Sequence, residues 1–394
     1  MSGTGLREGT PELRRALAAL FGIGLATFAL LYAVQPLLVP IGAEFAVGAS
    51  KASLLVSVST AGIAVAVLPL ARLSERHGRA RVITGGLAAA ALAGAVVAWA
   101  PSFPLLLGLR GLQGVALAGV PAAALAWVAE EVHPAVVTRV GGLYIAGTTV
   151  GGMAGRLLAG LAAEVWGWRG AVLAVALAAA AVTAAAHALL PASRRPTQAG
   201  APAAPAGRDD GRRPARVRLY LVGGLGMAMF VGIFNVIGYR TSAPPYLLGT
   251  GAASAFFLTY LAGTVTSALA GRLTARVGVR GAVLAGLGGC AAGVAVTLAA
   301  PLALIWLGLL LVAGGFFVAH AVASSTVPRL APRPSAASGR YTLVYYLGSS
   351  AGGVLLGQAW DMAAWQGTVL AALVLVAAAA VAAAGLPRRS LPAR

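Results

Sequence analysis

Two arginines stand where a charge is expensive. Arg110 and Arg156 each lie inside a long apolar run that is otherwise free of Lys, Arg, Asp and Glu. A guanidinium in such a run faces a cavity or a partner, and it brings five N–H donors to whatever holds it. Gln113 and Gly114 follow Arg110 by three and four residues, so the three share one helical face. Gly147, Gly151 and Gly155 repeat every fourth residue and form a packing stripe. Arg156 stands about 100° round the helix from Gly155, off that stripe, with Thr149 and Gly152 on its side. The other polar groups in apolar surroundings are Tyr32 and Gln35 beside Pro36, Asn235 and Tyr239, His320 and Gln358. Together with the arginines, Gln113 and Thr149, they are the groups expected to line a substrate cavity, by hydrogen bonding rather than by catalysis. No acid shares the depth of the arginines. Glu44, Glu164 and Asp361 fall at one set of run ends, and Glu75, Glu130 and Glu131 at the other. Cations without an acid at their depth are hydrated, held by carbonyls, or compensated by what arrives. Anionic or strongly hydrogen-bonding cargo is therefore expected over lipophilic cations, with Arg156 as the more direct contact.

The same inventory excludes other chemistries. Four scattered histidines and the single Cys290 make no zinc site, no nucleophile–His–acid arrangement and no disulfide framework. No Gly-Lys-Ser/Thr phosphate loop points to ATP. Neither an enzyme nor a bound metal or cofactor is expected.

The elements that must carry these groups are membrane helices. Of the 394 residues 59% are hydrophobic and 10% charged, against about 25% charged in soluble chains. Apolar runs fall at 16 to 39, 53 to 71, 82 to 100, 104 to 128, 140 to 163, 169 to 190, 219 to 240, 252 to 270, 281 to 299, 302 to 323, 339 to 359 and 366 to 386. Each suits a hydrocarbon core of about 30 Å, which needs about 20 residues of helix. The Ala-rich stretches 174 to 188 and 376 to 384 lack the polar face that a soluble bundle would show. The first run exceeds the about 7 to 15 apolar residues of a signal peptide and reads as a retained helix. The net charge of +19 comes from placement. Of the 29 basic residues, all but five fall before the first run, in even-to-odd loops or after the last run, and only Lys51, Arg169 and Arg240 fall on the other side. That asymmetry is the positive-inside rule, and it removes the case for nucleic acid.

Residues 191 to 216, with five prolines and an arginine run, read as a cytoplasmic linker that could also touch anionic lipid. The chain then divides into a bundle over 1–190 and another over 217–394. The halves repeat. A shift of 200 lays Arg72, Leu73, Arg76 and Gly78 on Arg272, Leu273, Arg276 and Gly278, and a shift of 201 lays Tyr144, Gly147, Gly151 and Gly152 on Tyr345, Gly348, Gly352 and Gly353. Gly348 and Gly352 are read as a second packing stripe. Two six-helix halves in one orientation, with the solute path between them, are the parallel-repeat arrangement of transporters.

The segment ARLSERHGR (71 to 79) resembles the loop signature of the major facilitator superfamily, Gly-x-Leu-x-Asp-Arg-x-Gly-Arg. Leu73, Arg76, Gly78 and Arg79 match it, while Ala71 replaces the first Gly and Glu75 the Asp. VQPLLVP (34 to 40), LRGLQGVALAGVPA (109 to 122), YIAGTTVGGMAGRLLAG (144 to 160), GGFFVAHAVASS (314 to 325) and YYLGSSAGG (345 to 353) are similar to its arabinose-efflux-type permease branch. The resemblance implies an all-α integral membrane fold of twelve transmembrane helices in two parallel-repeat six-helix bundles. It also implies a cytoplasmic gate at Arg72, Glu75, Arg76, Gly78, Arg79, Arg272, Arg276 and Gly278, and a link between Arg110 and proton coupling. Gly152 stands where the antiporter motif of the fifth helix has Pro, and Arg156 replaces its last Gly, so that segment does not secure antiport.

The expected function is secondary transport of a small solute across the inner membrane by alternating access, with proton-coupled efflux first and an uncoupled facilitator as the alternative. A non-transporting sensor of the same fold and a lipid-acting membrane enzyme are the rivals; the first lacks a signalling domain and the second a catalytic constellation. The expected partners are the solute, protons and bilayer lipid, with the chain acting as a monomer. Both termini and the linker should be cytoplasmic. A cysteine placed at Ser193 or Ser390 should therefore resist an impermeant thiol reagent in intact cells, and rapid labelling there would overturn the topology.

Overall fold

A computed structural model describes residues 5–191 and 211–387. The expected linker lies outside the described residues from 192 to 210, as do the extreme termini. Regular structure among the described residues is helical, apart from one isolated bridge between Leu6 and Val132. The helices are α1 (Pro11–Tyr32), α2 (Leu38–Glu44), α3 (Ala49–His77), α4 (Arg79–Val97), α5 (Phe103–Glu131), α6 (Val137–Leu189), α7 (Arg213–Ser242), α8 (Thr250–Ser254), α9 (Tyr260–Val296), α10 (Leu302–Arg329) and α11 (Pro334–Ala384). Nine stretches among the described residues are long and apolar enough to cross a membrane. Three of them, at 53, 47 and 51 residues, are about twice the length one crossing needs. Each contains non-helical backbone: Gly167 in α6, Gly278 in α9, and Ala363 with Ala364 in α11.

The chain forms two compact units. One is Met1–Ile41 with Val58–Pro202, and the other is Gly42–Ser57 with Ala203–Arg394. The first residues of α3 thus belong to the second unit, although they precede the linker in sequence.

Local chemistry explains the breaks. The first apolar run does not stay one helix: α1 stops at Tyr32, and a 3-10 turn over Gln35–Leu37 intervenes before α2. Pro36 in that turn has no N–H to donate and its ring crowds the preceding turn. The repeated glycines of the signature loops act through the backbone. Gly78 has φ 94° and Gly278 φ 72°, and a Cβ on either would meet nothing within 4 Å. Positive φ, not crowding, demands glycine there.

Close approach demands the other glycines. In the first unit a Cβ at Gly147 or Gly151 would overlap the carbonyl oxygen of Phe21 or Leu25 on α1, and one at Gly155 would stand 2.5 Å from the Ala29 Cα. In the second unit Gly348 and Gly352 of α11 press equally on the carbonyls of Gly224 and Ala228 of α7. Helices that touch backbone to backbone gain dispersion contacts that lipid cannot match.

Arg169 and Arg240, which fall outside the arginine-rich loops, have a common structural task. Arg169 donates to the carbonyls of Ala98 and Ala100, at 2.9 and 3.1 Å, where α4 ends. Arg240 donates to the carbonyl of Thr297 and, at 2.9 Å, to that of Ala299, where α9 ends. Each cation meets the negative end of a helix and supplies donors that its last carbonyls lack. Arg240→Ala and Arg169→Ala are each expected to cost about 1–2 kcal/mol, read as a lower Tm in detergent, whereas the exposed Arg272→Ala should leave Tm unchanged.

Candidate functional site

Three side-chain clusters gather most of the candidate residues, each within one unit. The first sits at the α3–α4 corner. Arg79 is 7% exposed and donates to Glu130 on α5 at 2.9 Å, to Ser74 Oγ at 2.6 Å and to the Ala71 carbonyl at 3.3 Å. Glu75 lies 3.7 Å from Arg79 and remains 43% exposed. The acid that holds the corner is therefore Glu130, fifty-one positions away. Arg72 and Arg76 are exposed beside it, as are Arg272 and Arg276 at the corresponding turn of the second unit.

The second cluster surrounds Arg110, which is 3% exposed. Its guanidinium donates to the carbonyls of Leu30 and Leu31 at 3.2 and 2.6 Å and to Gln113 Oε1. Leu30 and Leu31 belong to the last turn of α1, whose carbonyls lose their helical donors at the Pro36 interruption. Gln113 in turn donates from Nε2 to the Ala90 carbonyl at 2.9 Å, and Ser59 donates to the Arg110 carbonyl at 2.8 Å. The cluster ties α1, α3, α4 and α5 together.

The third cluster surrounds Arg156, which is 2% exposed. Its Nε donates to Gln35 Oε1 at 2.6 Å and one Nη to the Gly152 carbonyl of its own helix at 2.6 Å. Its Cζ lies 4.1 Å from the centre of the Tyr32 ring, a cation–π contact. Thr149, two turns earlier, donates to the Ile145 carbonyl at 3.3 Å.

The second unit disperses its candidates. Asn235 is buried against Gly353, where a Cβ would stand 2.5 Å from its amide nitrogen. Tyr239 packs near Trp360, with ring centres 6.2 Å apart, while Gln358 is exposed. His320 joins an aromatic cluster: Tyr341 Oη lies 2.9 Å from its Nδ1, Phe316 stacks at 5.7 Å and Tyr345 lies at 4.8 Å. The sequence reading did not select Glu130, Ser74, Tyr341 or Asp361 as site residues. Glu130, Tyr341 and Asp361 stand far in sequence from their partners, so no local pattern marks them, while Ser74 lies unremarked inside the signature segment.

Comparison with known proteins follows from this architecture. The sequence profile of the Major Facilitator Superfamily matches residues 19–353. The inner membrane transport protein YnfM of Escherichia coli (strain K12) is 38% identical over 366 residues, covering 92% of this chain and 88% of that protein. The MFS-type transporter YybF of Bacillus subtilis (strain 168) is 36% identical over 370 residues, covering 93% and 92%. The multidrug resistance protein Stp of Mycobacterium tuberculosis aligns over 160 residues at 31% identity, 40% of this chain and 30% of that one. Among solved structures, a bacterial homologue of the human lysosomal transporter Spinster in an inward-facing and occupied conformation superposes with TM-score 0.80 at 17% identity, covering 95% of this chain and 96% of that one.

The α3–α4 corner yields a direct test. Glu130→Gln should lower stability by about 1.5–3 kcal/mol, the range for a hydrogen bond to a charged group. Glu75→Gln should shift Tm far less, because its carboxylate is exposed and more distant.

Proposed function

The chain belongs to the major facilitator superfamily and is a multi-pass membrane transporter, and from that premise we propose that it exports a small polar or anionic solute by alternating access, coupled to protons. Twelve crossings follow if the three over-long helical stretches are each counted twice at their breaks, and the arginine asymmetry then puts both termini in the cytoplasm. The cell inner (plasma) membrane is the proposed location, in keeping with the E. coli relative, with the protein acting as a monomer. The likeness of part of the chain to a multidrug resistance protein supports export.

The observation that carries the cargo class is how Arg156 is held. It donates to the Gln35 side chain and to a carbonyl of its own helix and lies over the Tyr32 ring, a polar and aromatic setting that an anion could join. Arg110, by contrast, is committed to the end of α1. In this reading Arg156, Tyr32 and Gln35 meet the cargo, with Thr149 beside them. Arg110 and Gln113 position α1, and Asn235, Tyr239, His320 and Gln358 are the second unit's candidates. Arg72, Glu75, Arg76 and Arg79, with Arg272 and Arg276, form the cytoplasmic gate around the hinges Gly78 and Gly278. No Asp or Glu falls inside any of the twelve apolar runs of the sequence, and that one observation favours a second reading, an uncoupled facilitator.

Proteoliposomes loaded with candidate anions, with and without a pH gradient, separate the two: acceleration by the gradient supports coupling, and rates independent of it support the facilitator. Arg156→Lys should keep part of the transport and Arg156→Gln should reduce it about tenfold or more, since Lys retains charge without the fork and Gln retains neither. Export of a cationic dye untouched by Arg156→Gln would defeat the cargo assignment.

A further inference from the structure

A seam in the second unit serves no purpose in the clusters above. Helix α3 begins at Ala49, and its first N–H groups have no acceptor within the helix. Asp361, near the middle of α11, supplies both: Oδ1 accepts from the Ala49 N–H at 2.9 Å and Oδ2 from the Ser50 N–H at 3.0 Å. A carboxylate across the positive end of a 29-residue helix makes two charge-assisted bonds. Asp361 is itself exposed, so water competes for it and the bonds can exchange.

Behind this cap the contact is built of hydroxyls and glycine. Gly357 lets α11 approach so closely that a Cβ there would stand 2.6 Å from the Ser50 Cα. Ser57 Oγ donates to the Ser350 carbonyl at 2.6 Å and Ser350 Oγ to the Ser57 carbonyl at 2.9 Å. Ser53 and Ser349 are 0% exposed, and neither hydroxyl has a hydrogen-bond partner among the described residues. A buried hydroxyl without a partner carries a desolvation penalty that water relieves. The closed seam is thus held at its rim by one carboxylate and penalised in its interior by two hydroxyls.

We infer that Asp361 is a positioning residue for transport: by capping α3 it closes a seam at the outer surface, and its release lets water reach the Ser53 and Ser349 face. The inference rests on the transport reading and the orientation proposed above. Cap and hydroxyls pull in opposite directions, so loss of the cap shifts the seam towards opening.

Ser53→Cys in a Cys290→Ala background reports the seam through its labelling rate with an impermeant thiol reagent in intact cells. Asp361→Asn keeps the shape and loses the charge, and it should speed labelling about tenfold, the size expected for losing a charge-assisted bond. Asp361→Glu should return the rate to within about twofold of the parent. Ser349→Cys provides a second reporter should Ser53→Cys fold poorly, with an unchanged size-exclusion profile required of every variant. Equal labelling in parent and Asp361→Asn would overturn the inference, as would equal acceleration by Asn and Glu. Acceleration seen only in inverted vesicles would uphold the cap while overturning the proposed orientation.

Discussion

A helix that ends in or near a bilayer leaves carbonyls that water does not reach, and much of this structure is organised around supplying them with donors. Arginine does so repeatedly. Arg110 serves the end of α1, Arg169 the end of α4, and Arg240 the end of α9. Arg216 reaches the Leu330 carbonyl after α10 at 2.7 Å, and Arg218 the Gly385 carbonyl after α11 at 2.5 Å. The guanidinium suits this work because it is always charged, offers several donors in one plane and meets the negative end of the helix dipole. A chain with 29 basic residues and 10 acidic ones therefore has two uses for its cations: orienting the helices, and closing their ends.

The second constraint is distance. Alanine and glycine dominate the contact faces, so helices meet at backbone range, and the positions that cannot carry a Cβ are set by the neighbouring carbonyl oxygens. The stripes on α6 and α11 are equivalent under the internal repeat and meet α1 and α7, which are themselves repeat partners. Symmetry in sequence thus appears as the same helix pairing built twice. The terminal arginines follow a looser version of that symmetry. Arg169 follows the break at Gly167 in α6 and closes the end of α4, whereas Arg240 lies in the last turn of α7 and closes the end of α9.

Most of the fold was legible because membrane helices are read from composition. Apolar runs and the glycine spacing are one-dimensional signals, and they correspond to helices and to contact faces. The interruption of the first run at Tyr32 was less legible, although Pro36 was its visible cause. The clusters were legible only by half. Arg110 with Gln113 share a helical face, so spacing joins them. Arg79 with Glu130, Arg156 with Gln35, and Asp361 with the start of α3 are separated by 51, 121 and more than 300 positions, and nothing local couples residues so far apart. Glu75 drew attention because it stands inside a motif, yet the corner rests on Glu130, whose neighbourhood looks like any helix end.

The treatment of charge distinguishes Arg156 from the other buried cations. Helix-end carbonyls bring a fixed negative potential that compensates an arginine whether or not a solute is present. Arg156 lies in the interior of α6, where it takes the Gly152 carbonyl of its own helix, the amide oxygen of Gln35 and the face of Tyr32. Dipoles and a π-face stabilise a cation less completely than a counter-ion does in a medium of low dielectric. In the cargo assignment proposed above, an anion would meet a guanidinium held inside a helix, whereas Arg110 and Arg240 reach the carbonyls of helix ends. In the proposed reading, where each arginine sits along its helix is what separates a recognition group from its equally buried neighbours.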